Sequence, residues 1–133
     1  MLDRPAGKVT EPALRSTYVL LLYLPCGSRI RVGRRGFMMF EEGIYLYVGS
    51  GGLSPLRRIA RHIRKRKRKF WHIDFLTVRS TVIGAFVLES NISLECTIAG
   101  ALGRAFKTVS GFGASDCKCD SHLFFAGPNA KEV

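Results

Sequence analysis

The chain is 133 residues long, a length that favours one domain able to bury its own core. Its hydrophobic content of 47% excludes an intrinsically disordered protein. Lys and Arg number 21 against 10 Asp and Glu, and no fold requires the resulting net charge of +11. Because the basic residues are clustered, we expect a polyanionic partner, with nucleic acid favoured over an anionic membrane. Generic surface basicity is the alternative.

The best apolar run, Tyr18 to Leu24, is far shorter than the roughly 20 residues that span a bilayer. The N-terminus lacks the apolar core of a secretory signal. We therefore expect a cytoplasmic protein with no membrane association and no small-molecule cofactor. In that compartment the four cysteines suit thiols or metal ligands better than a disulfide framework.

The patterns along the chain predict an α+β (mixed α/β) fold, with a small, mostly antiparallel sheet flanked by helices. We divide the chain into a lead-in segment (1–15), a single domain (16–125) and a C-terminal tail (126–133). β-branched, aromatic and alternating runs predict strands at 17–24, 29–32, 37–40, 44–49 and 81–88. The strand 29–32 follows a turn at 25–28 and is expected to form a hairpin with the first strand.

A helix is predicted after the fourth strand, because Ser54 can cap it and Pro55 fits its first turn. Basic residues as far as Lys69 are expected on its outer faces. A second helix is predicted from Asn91 or Ser93 to Leu102. The expected buried stripe of the first helix consists of apolar residues at helical spacing, namely Leu56, Ile59, Ala60 and Ile63.

The strand from Gly43 to Ser50 carries Tyr45 and Tyr47, which are two apart and therefore point to one face. Glycines follow at 49, 51 and 52 and allow a ligand to approach the backbone closely. On its own this pattern is also typical of an ordinary tyrosine-rich strand that ends in a turn.

Two segments together point to a known family. Tyr47-Val48-Gly49-Ser50, followed by Leu56-Arg57-Arg58-Ile59-Ala60-Arg61-His62, resembles the second half of the GIY-YIG nuclease motif. The literal Gly43-Ile44-Tyr45 lies on the same strand as Tyr47, so the better match to the first half is Ser16-Thr17-Tyr18. The chain resembles most closely a little-characterised, mainly archaeal branch of that superfamily, whose members share a Tyr-x-Tyr-Val-Gly-Ser strand, a Trp-His-Ile-Asp segment and a Ser-Asp-Cys-x-Cys-x-Ser-His-Leu-Phe tail.

The resemblance implies a GIY-YIG-like fold and a divalent-metal-dependent endonuclease that uses Mg²⁺ or Mn²⁺. Tyr18 and Tyr47 match the motif tyrosines, and Arg58 matches the catalytic arginine because His62 follows it by four residues. Glu95 matches the metal-binding glutamate. The chain departs from the motif in having Ser16 where glycine is usual. It also has a longer connection between the tyrosine strands, with an extra hairpin.

These residue types suit phosphodiester cleavage. Glu95 can anchor a hydrated Mg²⁺-like ion, and Arg58 can form a forked contact with a phosphate. A tyrosine, with an ordinary pKa of about 10, needs nearby cations before it can act as a base, and we expect Arg58 and the metal to supply them. The alternative for Glu95 is a surface glutamate that stabilises the N-terminus of a helix.

A run without acidic residues extends from Glu42 to Asp74 and contains most of the clustered positive charge. We expect it to bind phosphates, with Trp71 able to stack on bases. A solvated helix face is the alternative. The predicted nucleic-acid-binding residues are Arg57, Arg61, Arg64, Lys65, Arg66, Lys67, Arg68, Lys69 and Trp71.

The tail offers zinc ligands, with Cys117, Cys119 and His122 close in sequence and Cys96 as a fourth. Buried thiols and a capping histidine are the alternative. Three hypotheses therefore compete. The first is a DNA endonuclease that is structure-selective or repair-related, the second is a nucleic-acid-binding module that no longer cuts, and the third is a metal-stabilised interaction domain. The sequence predicts no oligomeric state.

Overall fold

The computed structural model describes residues 15–112 and 119–128, and the predicted lead-in lies almost entirely outside them. The described residues form an α+β fold whose main sheet has five strands in the order β5-β1-β4-β7-β6, with antiparallel neighbours. The predicted fold class is therefore confirmed. The strands are β1 (Arg15–Leu24), β2 (Ser28–Arg31), β3 (Phe37–Phe40), β4 (Gly43–Gly52), β5 (Thr81–Ser90), β6 (Lys107–Thr108) and β7 (Leu123–Gly127), and the helices are α1 (Pro55–Ile63), α2 (His72–Thr77) and α3 (Glu95–Ala105).

The central strands β1 and β4 are nearly continuous in apolar residues because both faces of the sheet are covered. On one face, Leu20 and Leu22 join the core that α1, α2 and the β2–β3 hairpin close. On the other face, Val19 and Val48 pack with Ala99 of α3. Alternate residues of one strand therefore serve two different cores. No helix among the described residues has the length and apolar character needed to cross a bilayer.

The connection between β1 and β4 contains the extra hairpin that the sequence predicts, but its predicted pairing is wrong. Strand β2 pairs with β3 and not with β1. A 3₁₀ turn at Gly33–Arg35 joins the two strands, and Val32 N donates to Gly36 O at 2.8 Å. The hairpin forms its own small sheet because Ile30, Val32 and Phe40 can then enter the main core together.

Helix α1 is rotated from its predicted orientation. Ile59 and His62 are its buried residues, whereas Leu56 is 73% and Ile63 53% exposed and Ala60 is also exposed. The predicted stripe is therefore wrong except for Ile59. The buried side of α1 faces aromatic rings from the sheet. His62 can hydrogen-bond among these rings, so the helix turns His62 inward and leaves its more apolar face exposed.

Helix α1 also ends earlier than predicted, at Ile63. The Lys67 ammonium folds back over the end of the helix and donates to Arg61 O and His62 O, both at 3.0 Å. Arg61 O also accepts from Arg64 N at 3.2 Å, so the ammonium adds a further donor to the carbonyls of the last helical turn. The basic run beyond Ile63 consequently leaves the helix axis. Helix α3 begins at Glu95, later than the predicted Asn91 or Ser93, and continues to Ala105.

Candidate functional site

The site is centred on two tyrosines and a histidine that the antiparallel register brings together. Tyr18 of β1 lies opposite Gly49 of β4, and Leu20 lies opposite Tyr47, so both tyrosines face α1. Their ring centroids are 6.5 Å apart, and the His62 ring lies 5.6 Å from Tyr18 and 6.0 Å from Tyr47. The Tyr18 hydroxyl lies 2.8 Å from His62 Nε2, which is hydrogen-bonding distance.

Gly49 makes room for this arrangement. A Cβ atom at position 49 would overlap the ring and hydroxyl of Tyr18, which therefore lies directly against the backbone of β4. Only glycine lacks that atom. The glycine of the Tyr-Val-Gly-Ser segment is thus explained by the position of a side chain on the neighbouring strand.

Burial sets the protonation of these groups. Burial, with a further contribution from Lys67, lowers the pKa of His62 to about 4, so the imidazole is neutral at pH 7. Among the described residues, its Nδ1 is the buried side-chain polar atom without a hydrogen-bond partner. Burial also raises the pKa of Tyr18 and Tyr47, and the opposing effect of Arg58 is smaller. Arg58 by itself therefore does not provide the expected bias toward a phenolate.

Arg58 is fixed at the exposed end of β4. Its Nη1 donates to Ser50 O at 2.7 Å, and the guanidinium lies beside Gly52, which has a φ of +57°. Ser16 holds the same corner from the other side, since its Oγ donates to Gly52 O at 2.9 Å. The residue that departs from the usual motif glycine thus ties the start of β1 to the end of β4. The remaining N–H donors of Arg58 can contact a ligand.

Burial is the main cause of the raised pKa of Tyr47 and Tyr18, and the charge of Glu95 raises the pKa of both further. Glu95 is the first residue of α3, and its side chain is 28% exposed. Its Oε2 lies 3.9 Å from Nδ1 of the buried His122. A partly exposed carboxylate that water can reach is the kind of ligand that Mg²⁺ uses.

An ion pair that the sequence patterns did not reveal holds the basic segment in place. Arg61 donates two parallel hydrogen bonds to Asp74, from Nη1 to Oδ1 at 2.8 Å and from Nη2 to Oδ2 at 2.9 Å. Asp74 also accepts from the backbone N–H groups of Phe70 and Trp71 and so caps α2. Burial alone would raise the pKa of Asp74, but the bonds from Arg61 and these N–H groups lower it. The sequence did contain one signal for the capping role of Asp74, since an isolated acidic residue three positions after Trp71 is typical of the start of a helix.

The predicted nucleic-acid-binding residues divide into two groups. Lys67 donates to two carbonyls and to Thr77 Oγ1, and burial lowers its pKa to about 8. Lys65 donates to the carbonyls of Thr77 and Ser80. These lysines and Arg61 hold the fold together. The other basic residues face solvent and form what we call the basic surface, which consists of Arg57, Arg64, Arg66, Arg68 and Lys69.

Trp71 connects the basic surface to the site. It is 44% exposed, its ring centroid lies 6.2 Å from that of His62, and the Arg61 guanidinium lies 4.7 Å above it. One part of the ring therefore lies beside the buried cluster while another part remains exposed to solvent.

A second group of metal-ligating residues lies beside Glu95. The ligand atoms of Cys96, Cys119 and His122 all fall within 4.8 Å of one another. This Cys/His group could bind a metal ion, and it contains three of the four residues that the sequence predicts for zinc. Cys117, the remaining one, lies outside the described residues.

The comparison with protein families gives one match. The profile of a family described as "Domain of unknown function DUF123" covers residues 17–133, so the chain belongs to the DUF123 family. No curated protein and no solved structure matches the chain.

Proposed function

We propose that the protein is a divalent-metal-dependent endonuclease that hydrolyses phosphodiester bonds in DNA. The observation that carries this proposal is the contact between the Tyr18 hydroxyl and His62 Nε2 at 2.8 Å, beside Tyr47. The charges of Arg58 and Glu95 act on the same two tyrosines. The five residues that the GIY-YIG resemblance selects come from β1, β4, α1 and α3, and these contacts and charge effects support grouping them in one site.

In the proposed reaction, Tyr18 takes a proton from the attacking water while its own proton passes to His62 Nε2. A neutral imidazole can accept that proton, and the 2.8 Å separation is within the range for direct transfer. This relay replaces a free phenolate, which burial of Tyr18 disfavours, with a short-lived imidazolium, which burial of His62 disfavours as well. The new bond from water oxygen to phosphorus forms as the bond to the leaving oxygen breaks, and a water molecule protonates the departing alkoxide. The proton on His62 then returns through Tyr18 to solvent.

Arg58 binds the phosphate in this proposal. Its bond to Ser50 O fixes the guanidinium, and the remaining donors form a fork that matches two phosphate oxygens. The negative charge that develops on those oxygens strengthens the contact in the transition state. Loss of such a stabilising donor typically reduces the rate by a factor of about 10²–10³.

Glu95 would hold Mg²⁺ or Mn²⁺. Such an ion, when bound, lowers the pKa of a coordinated water and neutralises charge on phosphate oxygens. The carboxylate suits these hard ions, whereas the neighbouring thiols and imidazole suit Zn²⁺. We therefore assign the two metals to different ligands.

The basic surface supports DNA as the substrate. Its exposed side chains belong to α1 and to the segment that leads to Trp71, and Arg61 ties that segment to α1 through Asp74 and the carbonyl of Arg68. A surface of this kind neutralises several phosphates and gives steep salt dependence. Following the GIY-YIG resemblance, we propose branched or damaged DNA as the preferred substrate, with a repair-related role.

The test is cleavage of a panel of duplex, single-stranded, flapped and junction DNA with Mg²⁺, with Mn²⁺ and with chelator. We expect metal-dependent cleavage that is fastest on one of the branched substrates. Tyr23, a half-buried tyrosine on the same strand as Tyr18 whose hydroxyl donates to Glu42, provides a control, and Tyr23→Phe should cleave at the wild-type rate. Absence of cleavage under every condition, with DNA binding intact, would contradict the nuclease proposal.

That last outcome would favour the second candidate, a nucleic-acid-binding module on a GIY-YIG-like fold. The observation in its favour is the burial of both tyrosines, since Tyr18 is 3% and Tyr47 9% exposed. The basic surface would serve either function. The two candidates thus differ in metal-dependent turnover and agree in salt-dependent binding.

A further inference from the structure

Cys96, Cys119 and His122 come from two parts of the chain. Cys96 is the second residue of α3, whereas Cys119 and His122 precede β7. Around a tetrahedral Zn²⁺, sulfur and nitrogen ligands lie about 3.3–3.8 Å apart, given metal–ligand distances of about 2.0–2.3 Å. The observed group, with all ligand atoms within 4.8 Å, needs only small side-chain movements to reach that geometry.

His122 is held in place by the fold before any ion binds. Its backbone N–H donates to Phe112 O at 2.7 Å, and its carbonyl accepts from Val48 N at 2.9 Å. The side chain is almost completely buried. Its neighbour Ser121 accepts bonds from the N–H groups of Phe112 and Leu123, which fixes the same turn. One ligand is thus rigid, and this reduces the entropy lost when an ion binds.

We propose that Cys96, Cys119 and His122 bind a resident Zn²⁺ ion that joins the N-terminus of α3 to the chain entering β7. Two thiolates and an imidazole favour Zn²⁺ over Mg²⁺ or Ca²⁺. His122 binds through Nε2, which directs its Nδ1–H toward the Glu95 carboxylate, 3.9 Å away. Glu95 is then the outer carboxylate of a carboxylate–histidine–zinc arrangement, which orients the imidazole and strengthens its bond to the metal.

This arrangement gives the zinc ion a positioning role at the candidate site. Glu95 immediately precedes Cys96, so an ion that holds Cys96 also fixes the backbone that carries Glu95. Glu95 in turn acts on Tyr47. The positioning role rests on the proposed nuclease function, whereas the zinc site itself does not.

The test begins with elemental analysis of the purified full chain, where we expect about one zinc per chain. Replacement by Co²⁺ should give an intense thiolate-to-cobalt absorption band. Cys96→Ser and Cys119→Ser should each lose the zinc and the band, while Cys26→Ser should retain both, because Cys26 lies exposed in the turn between β1 and β2. A wild-type protein that shows no thiolate–cobalt band would overturn the zinc site, even if the serine variants fail to fold.

Glu95→Gln tests the outer carboxylate. It should keep stoichiometric zinc at saturation but bind it about 10–100-fold more weakly. Unchanged zinc affinity would contradict that role for Glu95. Because these measurements need no DNA, a protein that binds zinc but cuts nothing would refute only the proposed nuclease.

Discussion

The hydroxyl of Tyr18, on β1, lies 2.8 Å from Nε2 of His62, on α1, and the two residues are 44 positions apart in the sequence. Both side chains are almost completely buried, at 3% and 0% exposure. A buried hydroxyl and imidazole are each costly unless they are hydrogen-bonded, so the pair also fixes the rotation of α1 against the sheet. Stability and the proposed chemistry therefore depend on the same contact.

Removing the Tyr18 hydroxyl should affect both. In Tyr18→Phe we expect cleavage to fall by a factor of about 10²–10⁴, the usual contribution of general acid–base catalysis. The free energy of unfolding should fall by about 1–3 kcal/mol, because His62 Nε2 is left buried without its partner. Single-turnover cleavage and urea unfolding measure the two effects. Equal cleavage by Tyr18→Phe and Tyr23→Phe would remove Tyr18 from the mechanism.

Gly49→Ala should displace Tyr18. The added Cβ would overlap the Tyr18 ring, and overpacking of this kind typically costs about 1–3 kcal/mol in unfolding free energy. Gly84 on β5 is the matched control, since a Cβ there would meet nothing within 4 Å. Gly84→Ala should change stability by less than about 0.5 kcal/mol. Comparable losses of unfolding free energy from the two substitutions would show that the close packing of Tyr18 does not explain the glycine at position 49.

The stability of the protein should fall between pH 6.5 and pH 4 because of His62. Burial lowers its folded pKa to about 4, below the value of about 6.5 expected when unfolded, so the unfolded chain binds more protons in this window. Above pH 6.5 His62 is neutral in both states and costs no stability. As the pH falls to about 4, protonation of the unfolded chain lowers the free energy of unfolding by roughly 3 kcal/mol in total.

Urea unfolding at pH 7 and pH 5 measures this dependence. His62→Gln lacks the titrating group and should lose less stability between the two pH values than the wild type does. If the variant and the wild type lose the same amount, His62 is not the buried neutral base that its surroundings imply.

Asp74→Asn should destabilise the protein by about 2–4 kcal/mol, since Arg61 loses a charged partner that is fully buried. The segment between α1 and α2 should also lose its attachment to the domain, because Asp74 accepts from the N–H groups that begin α2. The control is the exposed pair of Lys107 and Glu41, whose N–O distance is 3.0 Å. Glu41→Gln should have no measurable effect on thermal unfolding, as is usual for exposed pairs. Similar melting temperatures for the two variants would argue against a structural role for the Arg61–Asp74 fork.

The basic surface should control the salt dependence of DNA binding. Replacing Arg64, Arg66 and Arg68 with alanine should weaken binding to all sequences and reduce the slope of log K against log salt by about 0.9 for each phosphate that is no longer neutralised. Lys67→Met, in contrast, should lower stability and leave the slope unchanged, because its ammonium is bonded within the protein. Fluorescence anisotropy at several salt concentrations measures both slopes. If the triple variant keeps the wild-type slope of log K against log salt, DNA does not bind at the basic surface.

The strand patterns were sufficient for the fold class because β-branched and aromatic runs identify buried strands without reference to partners. The pairing of β2 with β3 was not predictable in the same way, since it depends on how Ile30 and Phe40 enter a core that closes only in three dimensions. The orientation of α1 was missed for a related reason. The apolar residues of α1 predicted one buried face, but the hydrogen bond between His62 and Tyr18 of β1 buries a different face.

The candidate site residues were chosen by resemblance, and their spatial relation could not be read from spacing. Nothing local in the sequence indicates that Glu95 lies beside His122 or that Lys67 caps α1. Such contacts depend on the sheet order, which places β7 next to β4. Cys96 was an exception, because its residue type alone was enough to group it with Cys119 and His122.

The most direct test of the proposed function is the single-turnover cleavage rate of Glu95→Gln beside that of the wild type, both loaded with zinc and assayed with Mg²⁺ on the preferred DNA substrate. Glutamine preserves the shape of the side chain but removes the charge that would hold Mg²⁺. We expect cleavage to be abolished while DNA affinity stays within about twofold, since the basic surface is untouched. Cleavage by Glu95→Gln at the wild-type rate would contradict the assignment of this site as the catalytic centre of a nuclease.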